Sequence, residues 1–141
     1  MKLVCLLIDN GQQTPRIAER DIIVYKTMKR ITLFNRWTIL LSPFKLSFWK
    51  LNKIKESEII TSVFASGSGA ILHSIEKGLH SFGEYEDASQ LARNVNGRIP
   101  SVVTIGIIPR GSVYYVGTFG GATSYASNQL VLTGFPDEEP E

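Results

Sequence analysis

The chain has 141 residues, 43% of them hydrophobic and 20% charged, with a formal net charge of +2. That is the composition of an ordinary one-domain globular protein, long enough to bury a core without staples. It excludes the disordered, collagen-like and disulfide-dense classes. The lone cysteine, Cys5, permits no intrachain disulfide, reads as a buried thiol in an apolar run, and fits a reducing compartment.

The first expected element is a strand over Leu3–Ile8. Its six apolar residues are stopped by Asp9 and Asn10, too short a run for a secretory signal. No run approaches the roughly 18 apolar residues of a membrane span, so a cytoplasmic protein without membrane contact is expected. Asn10-Gly11 and Pro15 mark a loop, and Asp21–Met28 reads as a second strand from its β-branched residues.

Residues 29–55 mix basic residues with Leu33, Phe34, Trp37, Phe44, Phe48 and Trp49, and Pro43 breaks the stretch. Two strands or a hairpin are expected. Interleaved aromatic and basic residues can bind nucleic acid, or can form an amphipathic sheet whose lysine stems cover apolar surface. The second reading is preferred, and nucleic acid is not the expected partner.

Glu58–Ala65 and Ala70–Ile75 read as strands around the Ser66–Gly69 turn, with a further turn at Glu76-Lys77-Gly78. One helix is clear. Tyr85, Ala88, Leu91, Ala92 and Val95 share a helical face, Glu84, Glu86 and Asp87 fall in the first turn, and Asn96-Gly97 closes it. Strands over Ser101–Ile108, Ser112–Phe119 and Asn128–Gly134 follow, the first two joined by the turn Pro109-Arg110-Gly111. The expected fold is therefore α+β: a mainly antiparallel β-sheet of about seven short strands with one helix packed on it. It spans a single globular domain over residues 1–135, and residues 136–141 form an acidic disordered tail.

Charge is spread unevenly along these elements. Residues 1–55 hold eleven Lys/Arg against Asp9, Glu19 and Asp21, a balance of +8, and residues 56–141 hold four against ten acids, a balance of −6. The split reads as ordinary solvated surface, as a face that attracts an anion, or as unlike halves that meet between subunits.

Familiar enzyme signatures are missing from the sequence. His73 and His80 lie seven residues apart with no nearby cysteine, a poor basis for a zinc site. There is no GxSxG elbow, Walker A loop or Rossmann fingerprint. The segment from Gly117 to Gly121 lacks a phosphate-loop lysine, although its glycines can bring backbone N–H groups close to an anion. No metal and no cofactor are expected.

Two resemblances bear on the same residues. Lys77–Phe82 followed by a helix bearing Asp87-Ala88, with Ile23–Thr27 upstream, resembles small proteins of ADP-ribosyltransferase-like architecture. That resemblance implies a late glutamate on the ribose or acceptor. None stands between Glu86 and the acidic tail, which argues against transferase activity. Gly78–Phe82, Pro109–Tyr115 and Tyr125–Val131 (GLHSF, PxGSxYY and YASNxLV) resemble small proteins of phages and their bacterial hosts. This second resemblance implies a phage accessory protein, in the host cytoplasm, that binds something host defence relies on.

The functional expectation is a non-enzymatic binding protein for a small anionic, nucleotide-like ligand, acting as a sponge for a nucleotide or cyclic nucleotide immune signal and assembled as a homo-oligomer. Tyr114, Tyr115, Phe119 and Tyr125 offer stacking faces worth roughly 1–3 kcal/mol per base. Arg110 can hold a phosphate in bidentate fashion. Ser112, Thr118, Thr123, Ser124, Ser127 and Asn128 can read hydroxyls and base edges, and Gly120 and Gly121 permit close approach. Along a strand Tyr114 and Tyr115 point to opposite faces, so only one of them can face a given pocket. Sequestration requires nanomolar binding, about −12 kcal/mol. Two alternatives stand beside it: an adaptor for a host defence protein using Trp37, Trp49, Arg30 and Arg36, and a divergent transferase-like enzyme.

Overall fold

A computed structural model gives the fold and describes residues 6–8, 15–34, 37–42, 48–65, 71–95, 97–119 and 121–136. Among these residues the strands are β1 (Leu6–Ile8), β2 (Arg16–Ile17), β3 (Ile22–Leu33), β4 (Trp37–Leu41), β5 (Phe48–Trp49), β6 (Ile54–Glu56), β7 (Ile60–Ala65), β8 (Ile71–Lys77), β9 (Leu79–Phe82), β10 (Ser101–Ile108), β11 (Val113–Phe119), β12 (Ala122–Ser127) and β13 (Gln129–Gly134). One helix, α1 (Tyr85–Asn94), follows β9. The protein is thus α+β and mostly antiparallel, but it has thirteen strands among the described residues where about seven were expected.

All the strands belong to one antiparallel sheet with the order β6-β13-β10-β3-β9-β12-β11-β1-β8-β7. Strand β2 pairs with β11, and β4 and β5 extend from β3. The core lies on one face of the sheet, the inner face, and holds Val24, Met28, Leu40, Trp49, Leu79, Ile108, Leu130 and Leu132. Strict alternation puts these residues inside, because every second side chain of a strand shares a face. Strand β12 passes into β13 through the single residue Asn128. A side chain at Gly106 would lie 3.1 Å from the Val131 carbonyl oxygen, and the β10–β13 register shifts beside it, so glycine allows the close crossing.

The helix packs on the outer face, where Phe82, Ala88 and Val103 form a second cluster with Tyr25, Tyr85 and Leu91. The Thr27 hydroxyl donates to the Ala88 carbonyl at 2.6 Å, and the Lys29 ammonium donates to the Val95 carbonyl at the helix end. Acidic Glu86 and Asp87 occupy the first turn and Arg93 the last, as the helix dipole favours. A smaller cluster joins Ile75 and Ala126 with Ile59 and Tyr115.

Local differences from expectation have physical causes. The second strand runs five residues past Met28, because β4 pairs with its distal half from Lys29 to Leu33. The turn expected at Glu76-Lys77-Gly78 shortens to Gly78 between β8 and β9, since β9 finds partners in β12 and β3. The stretch between the expected strands Ser112–Phe119 and Asn128–Gly134 holds a further strand, β12, in a tight hairpin with β11 and with Gly121 at φ 87° in its turn. Cys5 and the acidic tail from Asp137 onward lie outside the described residues. No helix among the described residues is long and apolar enough to cross a membrane.

Candidate functional site

Strand β2 lies on the start of β11, with Ile17 opposite Val113 and Arg16 opposite Tyr114. The chain from Ala18 to Asp21 then wraps the Pro109–Ser112 turn. Ala18 N–H donates to the Ser112 carbonyl at 2.9 Å, Gly111 N–H to the Ala18 carbonyl at 2.8 Å, and Arg110 N–H to Asp21 Oδ1 at 2.9 Å. Gly111 holds φ 90°, which a side chain would oppose. Arg16, Ile17, Glu19, Arg20, Asp21, Ile22, Ile23 and Tyr114 line an open cleft of about 720 Å³. Two guanidiniums, an aromatic ring and aliphatic surface therefore share one concave surface. Guanidinium suits phosphate or carboxylate, and the ring suits a base.

The expected site residues divide into three groups. Tyr114 lines the cleft and packs on the inner core, and its ring lies 5.9 Å from that of Tyr125. Arg110 is exposed and does not line the cleft; its backbone N–H bonds Asp21, which does. A second group is built into the fold. Ser112, Ser124 and Ser127 are fully buried and donate to Gln129 Oε1, the Ala122 carbonyl and the Leu79 carbonyl. The Asn128 side-chain oxygen accepts Val113 N–H at 2.9 Å, and its backbone N–H returns a bond to the Val113 carbonyl. The Ser112, Ser127 and Asn128 bonds join separate segments of the sheet, while the Ser124 bond stays within β12. A third group lies apart from the cleft. Tyr115 is on the outer face against Ile75 and Ala126, while Thr118 and Thr123 pair across the far end of the hairpin with Gly121 in its turn. Gly120 and the Phe119 side chain lie outside the described residues.

The structure thus brings Tyr114 together with Arg16 and Arg20, which sequence reasoning missed, and does not bring Arg110 into the cleft lining. A signal was present: RIAERD places four charges within six residues just after Pro15 and just before a strand.

Other candidates take core or surface positions. Trp49 is buried, with the Lys26 and Lys55 ammonium groups 5.3 and 5.4 Å from its ring, so this expected adaptor anchor is a core residue. Arg30 stacks on Phe135 at 4.4 Å. The Trp37 side chain and Arg36 lie outside the described residues, as does the His73 side chain. Burial, and then the nearby Lys26 ammonium, lower the His80 pKa from 6.5 to about 3. It therefore stays neutral at physiological pH, held edge-on to Phe82 at 4.7 Å. No group of three or more His, Cys, Asp or Glu suited to a metal occurs among the described residues.

Sheet, outer helix and cleft together describe a mostly antiparallel α+β protein whose cleft is lined by two arginines, two acids and a tyrosine. No family model matches the chain, and no curated protein or solved structure matches it either.

Proposed function

We propose that the chain is a non-enzymatic binding protein for a small anionic, aromatic ligand of the nucleotide class, cyclic nucleotides included, held in the cleft between residues 16–23 and Tyr114. The observation that carries this reading is the pairing of β2 with β11. It sets Arg16 directly opposite Tyr114, with Arg20 lining the same cleft. Charge-assisted contacts to a phosphate and a ring face for the base are the two components such a ligand needs. Glu19 and Asp21 in the same cleft add acceptors for ribose hydroxyls or exocyclic amines. In the phage setting that the sequence resemblance implies, such a ligand is a host immune signal, and binding withdraws it from its receptor.

Two measurements test the proposal. Protein purified from its host is heated, and the released small molecules are identified by mass spectrometry; an unmodified nucleotide is expected at near-stoichiometric yield. Calorimetry then compares variants: Arg16→Ala and Arg20→Ala each weaken binding by about 1.5–3 kcal/mol, and Arg110→Ala, outside the cleft lining, by less. A protein that releases nothing and binds no nucleotide in calorimetry overturns the reading. A cleaved or modified nucleotide overturns its non-enzymatic part.

The adaptor reading retains one supporting observation. Phe34 is 82% exposed and Phe48 66% exposed on the β3–β4–β5 arm. Its test is a pull-down in which Phe34→Ala and Phe48→Ala release a captured host protein.

A further inference from the structure

The β3–β4–β5 arm, and the segment that leads from it into β6, carry charge of one sign. From Ile22 to Lys55 the chain holds eight Lys or Arg and neither Asp nor Glu. Some of these cations are engaged inside the fold. The Lys26 and Lys55 ammonium groups lie over Trp49, and Lys29 donates to the Val95 carbonyl. Lysine side chains laid on apolar surface account for Trp49, but two other rings stay exposed. Phe34, in the β3–β4 turn at φ 55°, is 82% exposed, and Phe48 of β5 is 66% exposed. Phe48 and Lys50 flank the buried Trp49 and are both exposed, as is Lys53 three residues on. The Lys55 ammonium donates to the Phe48 carbonyl at 2.7 Å, so a third cation sits at Phe48. The next acids along the chain are bonded elsewhere: the Glu56 carboxylate accepts from Gln129, and Glu58 pairs with Lys77 at 3.0 Å.

We propose that the arm binds single-stranded nucleic acid without regard to sequence. One base stacks on Phe48 and another on Phe34, and phosphates lie against Lys50, Lys53 and Lys55. A cationic track for the backbone and ring faces for the bases are the two features that such binding uses. Phe48 stands opposite Leu41 on β4, and Phe34 follows Leu33, which stands opposite Trp37. The two rings are therefore about four to five residues apart along the arm, roughly 15 Å at the rise of a strand. That is a span of a few nucleotides, within the site size of single-strand binders. A duplex keeps its base faces inside the stack and has nothing to lay on either ring. A protein partner could answer the lysines with acids, but a nucleic acid strand repeats both charge and ring face at every nucleotide. The arm shares no residue of Phe34, Phe48, Lys50, Lys53 or Lys55 with the cleft lining, so this inference does not depend on what the cleft binds.

Fluorescence anisotropy of a labelled oligothymidine of about twelve nucleotides, titrated with the full chain, tests this. Binding is expected at about 50 mM salt and should weaken with added salt on a log–log slope near −2, about −0.7 for each of three neutralised phosphates. Phe48→Ala and Phe34→Ala should each raise Kd at least about fivefold, the low end of the stacking loss per base. Lys50→Gln and Lys53→Gln should each make the slope shallower by about 0.7. All four side chains are exposed, so the variants should keep the wild-type circular dichroism. Any affinity for a duplex of the same length should be unchanged by Phe48→Ala. A chain that does not bind the oligonucleotide at low salt overturns the proposal, as does binding that both phenylalanine variants retain in full. Capture of a protein, or of phosphatidylserine vesicles, through the same two rings and without affinity for the oligonucleotide overturns it in favour of that partner.

Discussion

Along β3 and β10 the outer face carries two kinds of surface. Under α1 stand Tyr25, Thr27, Lys29 and Val103, a mixture of aromatic, hydroxyl, cationic and aliphatic groups. Beyond the helix, toward Ile22, stand Ile23 and Ile107, continued by Val131 and Ile54. The covered end is the more polar of the two, the reverse of what hydrophobicity alone would arrange. The reason is that a helix brings its own carbonyl groups to the sheet. The Thr27 hydroxyl and the Lys29 ammonium reach the Ala88 and Val95 carbonyls there. Beyond the helix the face meets no such carbonyls, and its side chains there are aliphatic.

The comparison can be broken from either end. The largest expected effect is under the helix: Phe82→Ala should cost about 3–5 kcal/mol in denaturant unfolding, because it empties the contact with Ala88 and Val103. Acid should act on the same end through His80. Its pKa is depressed in the folded state, so the unfolded chain binds the proton first. The His80 contribution is therefore complete above about pH 6.5 and is lost as pH falls toward 3. Between pH 6.5 and 4 that loss is on the order of 3 kcal/mol, read as the difference between wild type and His80→Gln in thermal melts. Thr27→Val removes one buried hydroxyl bond to the helix and should cost about 1 kcal/mol, with the far-ultraviolet spectrum unchanged. Smallest is Ile23→Thr at the bare end. In denaturant unfolding it should change stability by no more than about 0.5 kcal/mol. A large loss there would show that Ile23 is packed within the chain.

The parts of the fold legible in the sequence were those with local signals. Helix α1 announces itself by apolar spacing and end charges, and Ser101–Ile108 by a run rich in β-branched residues bounded by prolines. Strands β9 (LHSF) and β12 (ATSYAS) carry no such signal. A serine-rich segment reads as a loop, yet Ser81, Ser124 and Ser127 are wholly buried once neighbouring strands surround them. Of the hydroxyls expected to read a ligand, those of Ser112 and Ser127 bond Gln129 and Leu79 on other strands. The cleft was half legible. Tyr114 stood out as a residue type, but Arg16 and Arg20 reach it only through the pairing of β2 with β11, a contact between distant parts of the chain.

The long β3 strand also sets the order in which the protein can assemble during synthesis. Its proximal half is paired with β10, whose Thr104 hydroxyl bonds Lys26 across a separation of 78 residues. At about 5–20 residues per second, a ribosome needs roughly 4–16 s to deliver that partner. The distal half need not wait, since β4 follows within a few residues and pairs from Leu33 back to Lys29. The nascent chain therefore carries a preformed hairpin whose other half stays open until β10 emerges, and the interval in which chaperones or neighbouring chains can capture it is written into the topology.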